Sequence, residues 1–147
     1  MRRGATLVEL VITVAVIGII AMIAVPRFAR AQDGTSADAA ARRLVSELCA
    51  IRQRAIVSRT AATVTVVVGR GTVKVAGIDT TGLGCDGGGF DLAESPYGVT
   101  VLKVTFPAGT FQFDGHGWVG SEGSIAIGRG AVARVVTVSA AGMISWQ

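Results

Sequence analysis

The sequence predicts an α+β protein. One long amino-terminal helix, apolar in its first half and amphipathic in its second, packs on a small antiparallel β-sandwich or curled-sheet head. Three observations predict this. The run Leu10 to Val25 is broken only by Thr13 and Gly18. Apolar residues then recur at spacings of three and four, and beyond Arg59 the period changes to two. A chain of 147 residues suits one ordinary core, and two full domains would be cramped. Being half apolar and 16% charged excludes a disordered chain. The mean hydropathy of +0.57 is high for a soluble protein, and the excess lies in the one apolar run.

Residues 5–26 carry a single charge, Glu9. As a helix they would extend about 33 Å, enough to cross a bilayer. Arg2 and Arg3 ahead of them favour a cytoplasmic amino terminus and an exported remainder. A cleaved secretory signal is a competing reading, with Ala29-Arg30-Ala31 as its small-x-small site. Glu9 separates these readings from a third, because a carboxylate costs about 2.5 to 3.5 kcal/mol at a bilayer centre and less near the interface. Neither a plain signal nor a plain anchor has a use for it. An interfacial charge near the helix start is the bland alternative.

Residues 27–59 continue the helix. Asp33-Gly34-Thr35-Ser36 is a weak point at which Thr35 or Ser36 could cap a restart. Ala41, Leu44, Leu48, Ile51 and Ala55, widened by Val45 and Ile56, define one buried face, with Arg42, Arg43, Arg52, Arg54 and Arg59 mostly off it. Residues 60–147 form the head. Thr63 to Val68 and Thr72 to Val75 read as a hairpin around Gly69-Arg70-Gly71, and a Gly-rich stretch from Gly77 to Gly89 comes next. Further expected strands are Val99 to Phe106, Thr110 to Phe113, Trp118-Val119, Ser124 to Ile127, Arg134 to Ser139 and Met143 to Trp146.

Gly4-Ala5-Thr6-Leu7-Val8-Glu9-Leu10, with the apolar run to Pro26 behind it, resembles the class III signal of type IV pilins and type II secretion pseudopilins. The resemblance implies that residues 1–4 are a leader, cut after Gly4 by a prepilin peptidase on the cytoplasmic face. It also implies N-methylation of Ala5, which stands where the family usually has Phe, and an assembly role for Glu9. Gly18 and Pro26 match the family's helix-loosening glycine and proline. A carboxylate in low dielectric is tolerable when paired, and the new ammonium of Ala5 on one subunit can meet Glu9 of another, setting register. Leu48-Cys49-Ala50-Ile51-Arg52-Gln53-Arg54-Ala55-Ile56 resembles the helix-to-strand passage of the GspH/FimT family, with Ile51 where alanine is commoner. Phe113-Asp114-Gly115-His116-Gly117 and Arg134 to Gly142 resemble its last strands and closing Ser-x-x-Gly turn. The fold implied by this resemblance is pilin-like. The implied role is that of a minor pseudopilin, a structural subunit near the tip of a type II secretion pseudopilus. The alternative is a FimT/FimU-like minor type IV pilin for pilus assembly or DNA uptake. The implied location is the inner membrane, single-pass, with a periplasmic head extracted into the pseudopilus on assembly. The implied partners are other pseudopilins through the helix, the prepilin peptidase and secreted cargo.

Catalysis finds little support. His116 is the one histidine, so a typical His-based zinc site cannot be built, and two cysteines are not a zinc set. His116, Asp114 and Ser121 are near in sequence, which is not triad geometry. No enzyme activity and no cofactor are expected. Gly82-Leu83-Gly84-Cys85-Asp86-Gly87 matches G-x-G-x-x-G, yet Gly88-Gly89-Phe90 comes next where a helix would have to open. Asp79, Asp86, Asp91 and Glu94 surround that loop. They are candidate calcium ligands, since related pseudopilins include calcium binders, but the spacing is not an EF-hand and solvated acids with no metal are expected. Cys49 and Cys85 allow one internal bridge in an oxidising compartment, closing a span worth about 3 to 4 kcal/mol by loop entropy. That bridge is the expectation, and two separate thiols the alternative.

Residues 27–59 hold seven Arg against Asp33, Asp38 and Glu47, whereas residues 60–147 hold five basic and six acidic residues. Positive charge therefore lies along the helix, where it could face neighbouring subunits or lipid headgroups. DNA-binding relatives carry a basic tail after the closing glycine. Here Gly142-Met143-Ile144-Ser145-Trp146-Gln147 has no positive side chain, and DNA binding lacks its electrostatic term. Amino-terminal sequencing of the mature protein is expected to begin at Ala5. A start at Gln32 would instead identify a conventional signal peptide.

Overall fold

The computed structural model describes residues 7–85 and 88–147. Gly4, Ala5 and Asp86, singled out above, lie outside the described residues. The chain forms two compact units, one ending at Gln32 and the other running from Asp33 to Gln147. Helix α1 (Leu7–Ser58) supplies residues to both.

In the first unit every described side chain of α1 is exposed, including Leu10, Ile12, Ile17, Ile20, Ile23 and Phe28. Thr13 donates its hydroxyl to the Leu10 carbonyl at 2.8 Å, so its polar group is satisfied within the helix. Pro26 sits inside the helix and removes one intrahelical N–H. A Cβ at Gly18 would meet nothing within 4 Å, so no contact within this chain requires a glycine there.

In the second unit α1 buries Ala37, Ala40, Ala41, Leu44, Leu48, Ile51 and Ala55, the face expected from the three-and-four spacing with one more turn at its start. The helix continues unbroken through the weak point at Asp33 to Ser36. Arg129 accounts for this: its Nε pairs with Asp33 at 3.1 Å and its Nη1 donates to Ser36 Oγ at 3.2 Å. Tertiary contacts thus hold a segment of poor intrinsic propensity in helix. At the other end Arg59 adopts φ 51, and its N–H reaches Ile56 O while Thr60 N–H reaches Ala55 O. That pattern is a Schellman stop built on arginine rather than glycine.

Two four-stranded antiparallel sheets make up the head. The first has the order β3-β2-β1-β5, from β1 (Ala62–Val66), β2 (Thr72–Ala76), β3 (Gly89–Asp91) and β5 (Thr110–Phe113). The second has the order β4-β6-β7-β8, from β4 (Thr100–Val104), β6 (Gly123–Arg129), β7 (Val132–Val138) and β8 (Ile144–Trp146). The β1–β2 turn ties the sheets together, since Gly69 N–H donates to Val101 O at 2.8 Å and Val101 N–H to Arg70 O at 2.9 Å. Two expectations change. Strand β3, not expected from the sequence, begins at the last residue of the Gly-rich stretch, where the bare Gly89 backbone comes close to the Val73 carbonyl and Phe90 enters the core. Trp118-Val119 is no strand, and Val119 makes a single bridge to Phe113.

One core joins all of this. Leu44, Leu48 and Ile51 from α1 meet Val64, Val73 and Phe113 of the first sheet and Val101, Ile125, Ile127 and Val136 of the second. Alternate residues of each strand supply them, as in the buried-intermediate alternation of β1. Phe111 bridges Phe106, stacked at 4.3 Å, and Phe113, edge-on at 5.5 Å. Gly142, at φ 74, closes the last turn where a Cβ would collide with the Gly117 carbonyl oxygen.

The turn after β5 is organised by Asp114, whose Oδ1 accepts N–H bonds from His116 at 2.8 Å and Trp118 at 2.9 Å. The Trp118 amide, then the His116 amide, the His116 ring and the Gly117 amide, hold this carboxyl below its ordinary value despite some desolvation. A depressed folded-state pKa contributes stability above the unfolded pKa and loses it as pH falls through the folded value. Asp114→Asn should therefore melt below wild type at neutral pH, with the Tm difference shrinking below about pH 4. A pH-independent difference would contradict this. Leu48→Ala should cost about 2 to 5 kcal/mol in denaturant unfolding of the full chain in detergent. The exposed Ser46→Ala should stay within about 0.5 kcal/mol.

Candidate assembly interface

The apolar half of α1 is the first feature of the site. A helix that is hydrophobic all round is stable only in lipid or inside other protein. This one is long and apolar enough to cross a membrane, and none of its apolar window is buried by the chain itself. Glu9 lies in its first turn, where a negative charge is favoured by the helix dipole. Gly18 and Pro26 fall further along the same exposed stretch.

The arginines of the second unit behave differently from the sequence expectation of contacts with neighbours or headgroups. Arg52 Nε donates to the Gly117 carbonyl at 2.9 Å, and Arg54 Nη2 to that of Thr81 at 3.0 Å. Arg43 pairs with Glu47 at 3.3 Å, donates to Gly84 O at 3.2 Å and lies over the Tyr97 ring. The Tyr97 side chain first, then the attraction of Glu47, holds the guanidinium above its ordinary value against a small desolvation. Arg42 covers the Trp146 ring at 5.7 Å. From the sheets, Arg134 Nε reaches Asp38 at 2.5 Å, and Arg129 also donates to Tyr97 O at 2.9 Å. Most of this basic stripe is therefore turned onto the head. Each pair is worth little alone, but the carbonyl bonds fix how residues 33–58 seat on the sheets. Nothing in the local sequence signals them, because their partners lie up to 96 residues away.

The expected bridge between Cys49 and Cys85 is not formed, and neither sulfur is in a disulfide. Cys49 is exposed and Cys85 buried. Cys49 comes directly after Leu48, and one residue along a helix turns by about 100°, which carries it off the buried face. The Cys85 thiol instead lies 3.7 Å from Glu47 Oε2.

The acidic loop residues are engaged locally. Asp79 Oδ1 accepts from the Thr81 hydroxyl at 2.6 Å and its N–H at 2.9 Å. The hydroxyl first, then the amide and Arg54, lower its pKa against slight desolvation. Asp91 accepts from Ala93 N–H at 2.7 Å and Thr72 Oγ1 at 3.1 Å. Glu94 contributes its backbone carbonyl to the turn through Tyr97 and Gly98. Among the described residues no three metal-ligating side chains converge. Gly82 and Gly84 lie in turn and bend, and β3 rather than a helix comes after the loop. His116 is exposed, with Nδ1 3.7 Å from Asp114 Oδ2, and among the described residues no hydrogen bond joins Ser121 to either.

Comparison with known proteins gives a family and a fold. The family model for Type II transport protein GspH matches residues 40–142. No curated protein matches the chain. Among solved structures, the type IV minor pilin FimU of Pseudomonas aeruginosa is similar at a TM-score of 0.58 and 19% identity, covering 77% of this chain and 89% of that one. The minor pseudopilin EpsH of the Vibrio cholerae Type 2 Secretion System is similar at 0.54 and 17%, covering 76% and 96%. These identities carry the fold alone, which is the α+β arrangement expected from the sequence. The family match spans well over half of the residues, and the chain belongs to the GspH family of type II transport proteins.

Proposed function

We propose that this GspH-family chain is a minor pseudopilin, a structural subunit of a type II secretion pseudopilus. The observation that carries the reading is the match across the head and its helix, joined to an apolar half-helix that its own chain leaves uncovered. The subunit works by packing that half-helix among other pseudopilins and presenting the head, near the tip, to minor pseudopilins or cargo. It carries no catalysis. Before assembly it spans the inner membrane once, amino terminus inside and head in the periplasm, after a prepilin peptidase has cut between Gly4 and Ala5 and Ala5 has been methylated. Glu9 sets register by meeting a neighbour's Ala5 ammonium, while Gly18 and Pro26 let the helix adjust to its neighbours.

A second reading, a minor type IV pilin, is supported by the likeness in fold to FimU. DNA uptake fits poorly, because residues 60–147 are slightly acidic. Glu9→Ala tests the assembly role. Cleavage of the leader should proceed, whereas recovery in sheared filaments should fall about tenfold or more, as when one partner of a buried ion pair is removed. Normal incorporation of the variant would refute it.

A further inference from the structure

A shallow groove of about 750 Å³ runs beside β5, the edge strand of the first sheet. Its walls include Trp118, Gln112, Thr110 and Asp114, and Asp114 is the one ionisable residue among those that line it. Trp118 is 63% exposed although it belongs to the tightly held Asp114 turn. An indole left in water beside a fixed carboxylate has no role in the core, where Phe111, Phe113 and Val119 already fill this corner. Asp114 Oδ1 is occupied by the two amides, while the His116 ring stands 3.7 Å from Oδ2, beyond hydrogen-bond range. The Gln112 amide nitrogen is directed to Thr63 Oγ1 at 3.3 Å, which leaves its oxygen as an acceptor.

We propose that this groove receives an arginine side chain presented by a partner protein. The argument is charge complementarity joined to shape. A guanidinium is planar, stacks on an aromatic face and at the same time donates along its edge to a carboxylate and an amide oxygen. The groove offers that set of a broad π-face, one negative charge and neutral acceptors. A neutral apolar ligand would leave the carboxylate unused, and an anion would be repelled by it. Arg59 and His116 border Asp114 from a separate hollow, so the carboxylate is approached by the ligand from the Trp118 side.

The test uses the full chain in detergent micelles with ¹⁵N-labelled tryptophan. The two indole N–H signals, from Trp118 and Trp146, are followed by NMR during titration with N-acetylarginine amide. A saturable shift at Trp118 and not at Trp146 is expected. The isosteric N-acetylcitrulline amide should bind about three- to five-fold more weakly or worse, the scale of an exposed cation–π contact. Asp114→Asn removes the charge but leaves the turn amides a neutral, weaker acceptor, and at a temperature where the variant is folded it should weaken arginine binding by a similar factor. Equal shifts with citrulline, an unchanged affinity in Asp114→Asn, a larger response to N-acetylglucosamine trimer, or no saturable shift would each overturn the proposal.

Discussion

An apolar helix face has to be covered, and the two halves of α1 are covered by different things. From Ala37 to Ala55 the chain covers one face itself, with Leu44, Leu48 and Ile51 reaching residues from both sheets. From Leu7 to Phe28 it covers none. At about 25 cal/mol per Å² of apolar surface, leaving this stretch in water is unfavourable, and its length and composition fit a helix anchored in a membrane.

Within the second unit, packing and polar contacts divide the labour. The apolar face of α1 supplies the stabilisation, but small residues such as Ala37, Ala40, Ala41 and Ala55 would tolerate sliding along the sheets. Hydrogen bonds from Arg52 and Arg54 to the carbonyls of Gly117 and Thr81, and from Arg129 and Arg134 to Ser36 and Asp38, oppose it. These bonds are partly exposed and individually weak. Their effect is positional, since each is made in one register only.

What can be read in the sequence is local. The spacing of Leu44, Leu48, Ile51 and Ala55 defines a face without knowledge of its partner, and the alternation Thr63-Val64-Thr65-Val66 does the same for β1. The motif around Gly4 and Glu9 is contiguous, so it points to a superfamily that the match over residues 40–142 then narrows. The features that escape the sequence are all long-range. Strand β3 exists because β2 offers an edge and Phe90 a side chain for the core, and its own three residues carry no strand signal. Helix at Gly34 depends on Arg129, far along the chain. Two cysteines in one chain suggest a pair by number alone, and only the helix phase of Cys49 shows that it turns away from the buried Cys85.

The arginine stripe alters what the charge of this chain means. Seven arginines between Arg27 and Arg59 suggest a basic surface for lipid or neighbours. Four of them, Arg42, Arg43, Arg52 and Arg54, lie against rings, a carboxylate or carbonyls of their own chain. A guanidinium already turned onto its own carbonyls has fewer donors left for a phosphate, so formal charge overstates the electrostatic attraction this region can offer. Between Ala39 and Val57, α1 leaves outward Ala39, Ser46, Cys49, Gln53 and Val57, together with Arg42, whose guanidinium covers the Trp146 ring. Contacts made there would be governed by shape rather than by charge.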